Sequence, residues 1–166
     1  MQLNGLLHTF PKEIKFLIGT FIIVLSIGFF TGLLFVGETS SANPNGIEEQ
    51  YLGNESDEDA EIMKFKKSDQ EMLTLVHNHI LSMSIIFFLV GMILSTTKLN
   101  KKLKLFLIIE PFASVLLTFG GIYLLWNGLF WMKYIIMFSG TLMTLTYSCS
   151  IVIILLQLFQ NKSIRT

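Results

Sequence analysis

The side chains with the clearest capacity for chemistry are His77 and His79, which flank Asn78 near the start of a long apolar segment. Histidine is a common metal ligand and an axial ligand of haem iron, and it changes charge near neutral pH. An imidazole inside or at the edge of a bilayer is costly to leave without a partner, so the motif indicates a functional site. A structural alternative stays open, in which both rings simply bond to carboxylates of the neighbouring acidic loop.

The spacing of the two histidines predicts that their rings point to different sides of a helix. A two-residue step turns an α-helix by about 200°, so a single metal ion chelated by both rings is not expected. His77 lies in register with Ser84 and Gly91, and small residues mark the faces where membrane helices approach closely. We therefore expect His77 to face the helix bundle. His79 should face lipid, the acidic loop or a partner, with Met83 one turn deeper on its side.

Haem b is the cofactor that fits this motif best, because His and Met are usual axial donors to haem iron. The second axial ligand would be Met83, Met132 or Met137, or a residue of a partner chain, and a five-coordinate iron is the remaining arrangement. A copper or zinc site at His77 and His79, completed by loop carboxylates, is a weaker alternative. Proton-linked or pH-sensing use of the histidines, with no cofactor at all, stays open as well.

Glu110 is the second candidate for chemistry, because it is the one acidic residue in an otherwise uncharged apolar segment. Pro111 follows it, and the missing proline amide frees a backbone carbonyl and can kink a helix. We expect the carboxylate to pair with Lys101, Lys102 or Lys104 at the near end of the segment. A role in proton transfer is the alternative.

Four long apolar segments must position these side chains. The 166 residues are 52% hydrophobic and 14% charged, with a mean hydropathy of +0.62, which is too apolar for an ordinary soluble domain. A spanning helix needs about 20 mostly apolar residues, since the hydrocarbon core is about 30 Å thick. The segments that qualify are residues 16–37, 72–97, 105–126 and 134–160. The sequence therefore predicts an all-α fold, a polytopic membrane four-helix bundle that forms one domain over residues 1–166.

The charges flanking these segments predict the orientation of the chain. Lysines precede the first segment and cluster between the second and third, over residues 98–104, whereas most of the acidic residues lie in the 38–71 loop. The positive-inside rule then places both termini in the cytoplasm and the acidic loop outside. The lipid bilayer is the partner that this pattern requires, and a protein partner or a homo-oligomer is a further expectation. Nucleic-acid binding is not expected, because the basic residues are few and lie beside the membrane.

The acidic loop is predicted to dock a basic partner and to end in a helix cap. The docking residues would be Glu48, Glu49, Asp57, Glu58 and Asp59. We expect the first half of the loop to be irregular, because Asn43-Pro44-Asn45-Gly46 and Gly53-Asn54 are turn-forming runs. Ser68 with Glu71 three residues later has the form of a capping box, so the second helix should begin near Asp69.

Several of these runs also resemble a known group of proteins. They are Gly46-Ile-Glu-Glu-Gln-Tyr, Gly53-Asn54-Glu55, the approach from Lys64 to Met72, and His77-x-His79-x-x-Ser82-Met83. From about Gly46 to its end the chain is similar to small, uncharacterised bacterial four-span membrane proteins with an H-x-H-x-x-S entry to the second span. The resemblance implies a multi-pass protein of the bacterial inner membrane, and it brings no assigned reaction.

Two functions are consistent with these features. The first is a haem- or metal-binding, redox-linked accessory subunit that uses His77 and His79. The second is a non-catalytic structural or partner-docking membrane subunit without a cofactor. The sequence holds no nucleophile elbow, phosphate-binding loop, dinucleotide fingerprint or zinc-protease helix, so we do not expect it to be an enzyme by itself.

Overall fold

Four long helices account for most of the chain in the computed structural model, which describes residues 4–55, 60 and 62–160. The elements, in chain order, are a short 3-10 helix (Leu7–Thr9), α1 (Lys12–Ser40), α2 (Pro44–Leu52), α3 (Asp69–Ser95), α4 (Lys101–Val115), a π-helical turn (Leu116–Gly120), α5 (Gly121–Trp126) and α6 (Met132–Leu158). No strand occurs in these described ranges. The predicted all-α fold class is confirmed.

Each of the four predicted apolar segments lies on one long helix. These helices are α1, α3, the continuous stretch Lys101–Trp126 formed by α4, the π turn and α5, and α6, and all four are long and apolar enough to cross a membrane. We call them spans one to four. The chain is therefore a membrane-spanning protein. Long helices suit this role because lipid offers no partner to backbone polar groups, so only internally hydrogen-bonded helices or closed barrels cross a bilayer.

Span three is irregular in its middle. Pro111 lies inside α4, where its missing amide leaves the Leu107 carbonyl without its usual partner four residues on. One turn later the helix widens into the π turn, which buries Thr118 and Phe119. Single π turns within α-helices are frequent at functional sites. This irregular stretch runs directly against spans two and four.

The α1–α3 connection contains a helix where irregular structure was expected, so that prediction is wrong. Asn43 is the N-cap of α2, and its side-chain oxygen accepts a hydrogen bond from the Gly46 amide at 2.8 Å. Pro44 occupies the first helical position, where its missing amide is not needed. Asn and Pro therefore start a helix here instead of closing a turn.

The predicted capping box at the start of span two is confirmed. The Ser68 hydroxyl accepts from the Glu71 amide at 3.4 Å, and the Glu71 carboxylate accepts from the Ser68 amide at 2.8 Å. α3 accordingly begins at Asp69. Asn127 and Gly128 form a turn between spans three and four, with Gly128 at a φ of 98°.

Spans three and four form the centre of the bundle, and span one lies at its edge. In the most apolar part of each span, 50% of the residues are buried in span three and 11% in span one. Span two packs mainly on span three, while span one touches α2 and span four. The exposed apolar side chains of span one are those that a bilayer would cover.

α2 and the segment that follows it cover one end of the bundle, which we call the loop end. Glu48 of α2 pairs with Lys133 of α6, with 2.6 Å between Oε2 and Nζ. The Tyr51 carbonyl accepts from the Lys67 amide at 3.1 Å, and the Trp126 indole donates to the Lys67 carbonyl at 2.8 Å. The opposite end, which we call the lysine end, carries Lys98 to Lys104.

The stability of the α2 cover at high pH should depend on Tyr51. Burial raises the pKa of Tyr51 to about 12, from a usual value near 10. The neutral phenol therefore contributes stability that is complete below pH 10 and is lost as the pH rises through about 12. We expect the midpoint temperature of unfolding in detergent to fall more steeply over this range for the native chain than for Tyr51→Phe. Parallel curves for the two proteins would contradict the expectation.

Candidate functional site

The two histidines lie on α3 at the loop end, and both are exposed in the chain. The His79 ring packs on Phe119 of the π turn, with 4.6 Å between ring centroids. His77 instead borders a shallow surface depression together with Leu73, Thr74 and Asn78. The expectation that His77 faces the bundle is therefore wrong, and it is His79 that contacts a neighbouring span.

The physical reason is the drift of an α-helix against a seven-residue repeat. Seven residues fall about 20° short of two full turns, so two repeats shift a side chain by about 40°. Gly91 is buried and Ser84 is half-buried, but by His77 the face has turned away from span three. The buried positions of α3 instead follow the face marked by Met72, Phe87, Val90, Gly91 and Leu94.

The hydrogen bond of His79 defines which of its nitrogens is available. Nδ1 lies 2.8 Å from the Leu75 carbonyl oxygen, one turn earlier on α3. A carbonyl only accepts, so Nδ1 carries the hydrogen, and a neutral ring then has its lone pair on Nε2. A carbonyl bonded to one ring nitrogen is also the usual way in which proteins orient a histidine that binds metal through the other. The ring borders an open groove that includes Ser68, Glu71 and Thr74.

The other candidate cofactor ligands are dispersed. Met83 is half-buried against the core, Met132 is buried at the start of α6, and Met137 is partly exposed further along that helix. Within residues 4–55, 60 and 62–160, no three His, Cys, Asp or Glu side chains converge as a metal ion would require. A metal ion or haem bound at His79 would thus need further ligands that these side chains do not supply.

The acidic residues expected to dock a partner have different surroundings. Glu48 is engaged by Lys133, whose Nζ also donates to the Asn45 side chain at 3.2 Å. Glu49 is half-buried on α2. Asp57, Glu58 and Asp59 lie outside the described residues. Glu48 is therefore already paired within the chain, and its role in docking stays a prediction.

Glu110 does not form the expected ion pair. Glu110 is 8% exposed, and its carboxyl oxygens are hydrogen-bonded to the hydroxyls of Ser114 and Thr146. Lys104 instead donates to the Thr97 and Ser95 carbonyls at the lysine end. Glu110 lies nine residues into α4, about 14 Å along its axis, and it faces span four. Glu110 therefore lies away from the lysine end and its side chain points to span four, so it does not pair with Lys101, Lys102 or Lys104.

Sequence reasoning missed a buried line of hydroxyl groups between spans three and four. The Thr118 and Ser139 hydroxyls lie 2.7 Å apart, and the Ser150 hydroxyl donates to the Thr146 carbonyl at 2.7 Å. The available signal was the spacing of Glu110, Ser114 and Thr118, which at four-residue steps share one helix face. Other hydroxyls of span four donate to carbonyls of their own helix, among them those of Thr141, Thr144 and Ser148.

A protein-family model described as a transmembrane helical domain, Aq_1264_TM, matches residues 41–165. No curated protein and no solved structure shows significant similarity to the chain. The matched region begins where α1 ends, so it contains α2 and spans two to four. Span one, the least buried of the four, lies before it.

Proposed function

Because the chain belongs to the Aq_1264_TM family of transmembrane helical domains, we propose that it is a small accessory membrane subunit that binds a partner protein through one polar face of span two. That face consists of Thr74, His77 and Asn78, and we call it the polar face of α3. All three side chains are exposed in the chain. Their exposure within a membrane-spanning helix is the observation that supports the proposal.

The depth of these residues explains why they need a partner. Lys67 is at the level of the Trp126 indole that donates to its carbonyl, and Trp rings favour the membrane interface. His77 lies eight residues beyond the start of α3, about 12 Å along the helix axis. Lipid chains at such a depth offer no hydrogen bonds. Polar side chains in spanning helices bond across helices, at about 0.6–2 kcal/mol for each contact.

The acidic connection would add a second, weaker contact with the same partner. Besides Glu48, which pairs with Lys133, the predicted docking set contains Glu49, Asp57, Glu58 and Asp59. Their attraction to a basic surface would be screened by salt, whereas contacts within the bilayer would not. Association through α3 should therefore persist in high salt.

Photo-crosslinking in native membranes tests the proposal. A photoreactive amino acid in place of Asn78 should yield one discrete protein adduct, identified by mass spectrometry, that survives a high-salt wash. The same amino acid in place of Phe138, which is 66% exposed on span four, is the matched lipid-facing control and should give none. His77→Leu should abolish the adduct at position 78, because it removes a polar group that the partner must satisfy.

Lipid adducts alone at both positions would contradict the proposal. An adduct of two copies of this chain would identify the partner as a second copy, in a homo-oligomer.

A second candidate function is the binding of haem b or a metal ion at His79. It is supported by the Nδ1 contact with Leu75, which leaves Nε2 as the ligand atom. Met83 one turn along α3, or a residue of the partner, would supply a further ligand. Copper or zinc held by both His77 and His79 has less support, because the two rings border different surfaces.

A reduced-minus-oxidised visible spectrum with metal analysis separates the two candidates. Haem binding predicts a Soret band that His79→Ala removes and His77→Ala retains. Colourless, metal-free protein that still yields the crosslinked partner would reject the cofactor and leave the accessory-subunit proposal intact.

A further inference from the structure

A carboxyl group is buried in the middle of the interface between spans three and four. Glu110 of α4 contacts Ser114 one turn further along the same helix and Thr146 of α6. Ser114 and Thr146 are 2% and 4% exposed, so both residues are buried together with Glu110, which is 8% exposed. Each carboxyl oxygen has one hydroxyl partner, Ser114 Oγ at Oε1 and Thr146 Oγ1 at Oε2.

The contacts of Thr146 leave room for a proton on Glu110. Thr146 Oγ1 has three acceptors in reach: Glu110 Oε2, the Leu142 carbonyl at 3.0 Å and the Met143 carbonyl at 3.1 Å. A hydroxyl has a single hydrogen to donate but can accept another bond. If Oε2 carries a proton, it donates to Thr146, and Thr146 donates to Leu142. Every hydrogen in the cluster then has an acceptor.

The charges around Glu110 favour the arrangement with a proton on Oε2. Among the described residues, the two ion pairs are Lys67 with Glu71 and Lys133 with Glu48, both at the loop end. Tyr147, next to Thr146 on α6, directs its hydroxyl toward Ser26 of span one. Span two meets α4 through Ile108, which lies against Gly91. An ionised Glu110 would thus be a charge without a cationic partner in a membrane interior, and such a charge is strongly unfavourable.

We propose that Glu110, Ser114 and Thr146 form a proton-binding site within the membrane, with the proton on Glu110. Release transfers this proton from Oε2 to water, and the Thr146 hydroxyl then rotates its hydrogen from the Leu142 carbonyl to the carboxylate. Uptake reverses both steps. No other bond is made or broken, so the site exchanges one proton with the solvent. This inference does not depend on the proposed partner or on any cofactor.

Infrared spectroscopy of the protein at neutral pH, in a detergent that has no carbonyl groups, tests the site. A protonated carboxyl group has a carbonyl band distinct from those of ionised carboxylates, and we expect one such band in the native chain. Glu110→Gln should remove it, and Thr146→Val should shift it, because the hydrogen bond at Oε2 is lost. Glu71→Gln, which alters an exposed carboxylate at the helix cap, should leave it unchanged.

Two outcomes would overturn the proposal: a native chain without this band, or a band that persists in Glu110→Gln. Glutamine keeps one acceptor for Ser114 and one donor for Thr146, so this variant should fold. If Glu110→Gln does not fold, two other results still test the proton site: the band shift in Thr146→Val, and the shift of the native band when the acid proton is exchanged for deuterium. Labelling of Glu110 by a hydrophobic carbodiimide, which needs the protonated acid, is the second measurement. Suppression of the label by sodium at constant pH, with no acid band, would identify a sodium site and reject the proton site.

Discussion

Gly46→Ala is expected to displace the α2 cover from the end of span one and to lower the stability of the protein strongly. A Cβ atom at Gly46 would lie 1.9 Å from the Ser40 carbonyl oxygen and 2.7 Å from its carbonyl carbon. Both are backbone atoms, so no side-chain rotation relieves the overlap. The corner is already constrained, because Ser41 and Ala42 adopt φ values of 51° and 46° that non-glycine residues rarely adopt. We expect a loss of about 2–4 kcal/mol in the free energy of unfolding.

The loss should appear as a lower midpoint temperature of unfolding in detergent and as faster trypsin cleavage at Lys64 and Lys66. Gly37→Ala is the matched control, since a Cβ there meets nothing within 4 Å. Gly37 lies within α1, where alanine is favoured over glycine by about 0.5–1 kcal/mol, so this variant should be unchanged or slightly more stable. Equal stability of the two variants would show that α2 does not pack on Ser40 as described.

The four spans could be predicted from the sequence because their signal is local and strong. Uninterrupted apolar length, together with the backbone requirement in lipid, leaves a long helix as the simplest outcome. The Ser68 capping box was equally local, since both of its bonds lie within four residues. The helix at Pro44–Leu52 was missed because Asn-Pro begins both turns and helices. What decides between them is the packing of Gly46 on Ser40, which no short motif encodes.

The surroundings of the candidate site residues could not be predicted, because they depend on which helices are neighbours. His77 was assigned to the bundle by its register with Gly91, but that register drifts along a straight helix. Glu110 was assigned to the lysines nearest in sequence, whereas its partner Thr146 lies 36 residues away. The four-residue spacing of Glu110, Ser114 and Thr118 was visible. It indicated one polar face but not the face of span four that meets it.

Tyr147→Ala is expected to release span one from the rest of the bundle. Tyr147 is 1% exposed on α6, and its ring stacks on Phe29 of α1 with 4.0 Å between centroids. The ring also meets the edges of Phe30 and of Phe87 of span two, at 6.4 and 6.1 Å. One side chain therefore joins three spans. Truncating a buried aromatic ring costs about 3–5 kcal/mol, and span one has few other buried contacts to offset that loss.

Crosslinking between spans one and four measures this release. The Phe159 ring lies 3.3 Å from the position that a Cβ atom at Gly19 would occupy. Cysteines at these two positions should be joined by a short thiol crosslinker in a Cys149→Ser chain, and Tyr147→Ala should slow the reaction strongly. Tyr147→Phe keeps the ring and should behave as the native chain. Tyr134→Ala makes the same truncation at an exposed position of α6 and should have no effect. Unchanged crosslinking in Tyr147→Ala would mean that other contacts hold span one. Loss of crosslinking, with the infrared acid band of Glu110 retained, would show that the family region from residue 41 onward keeps its interior without span one.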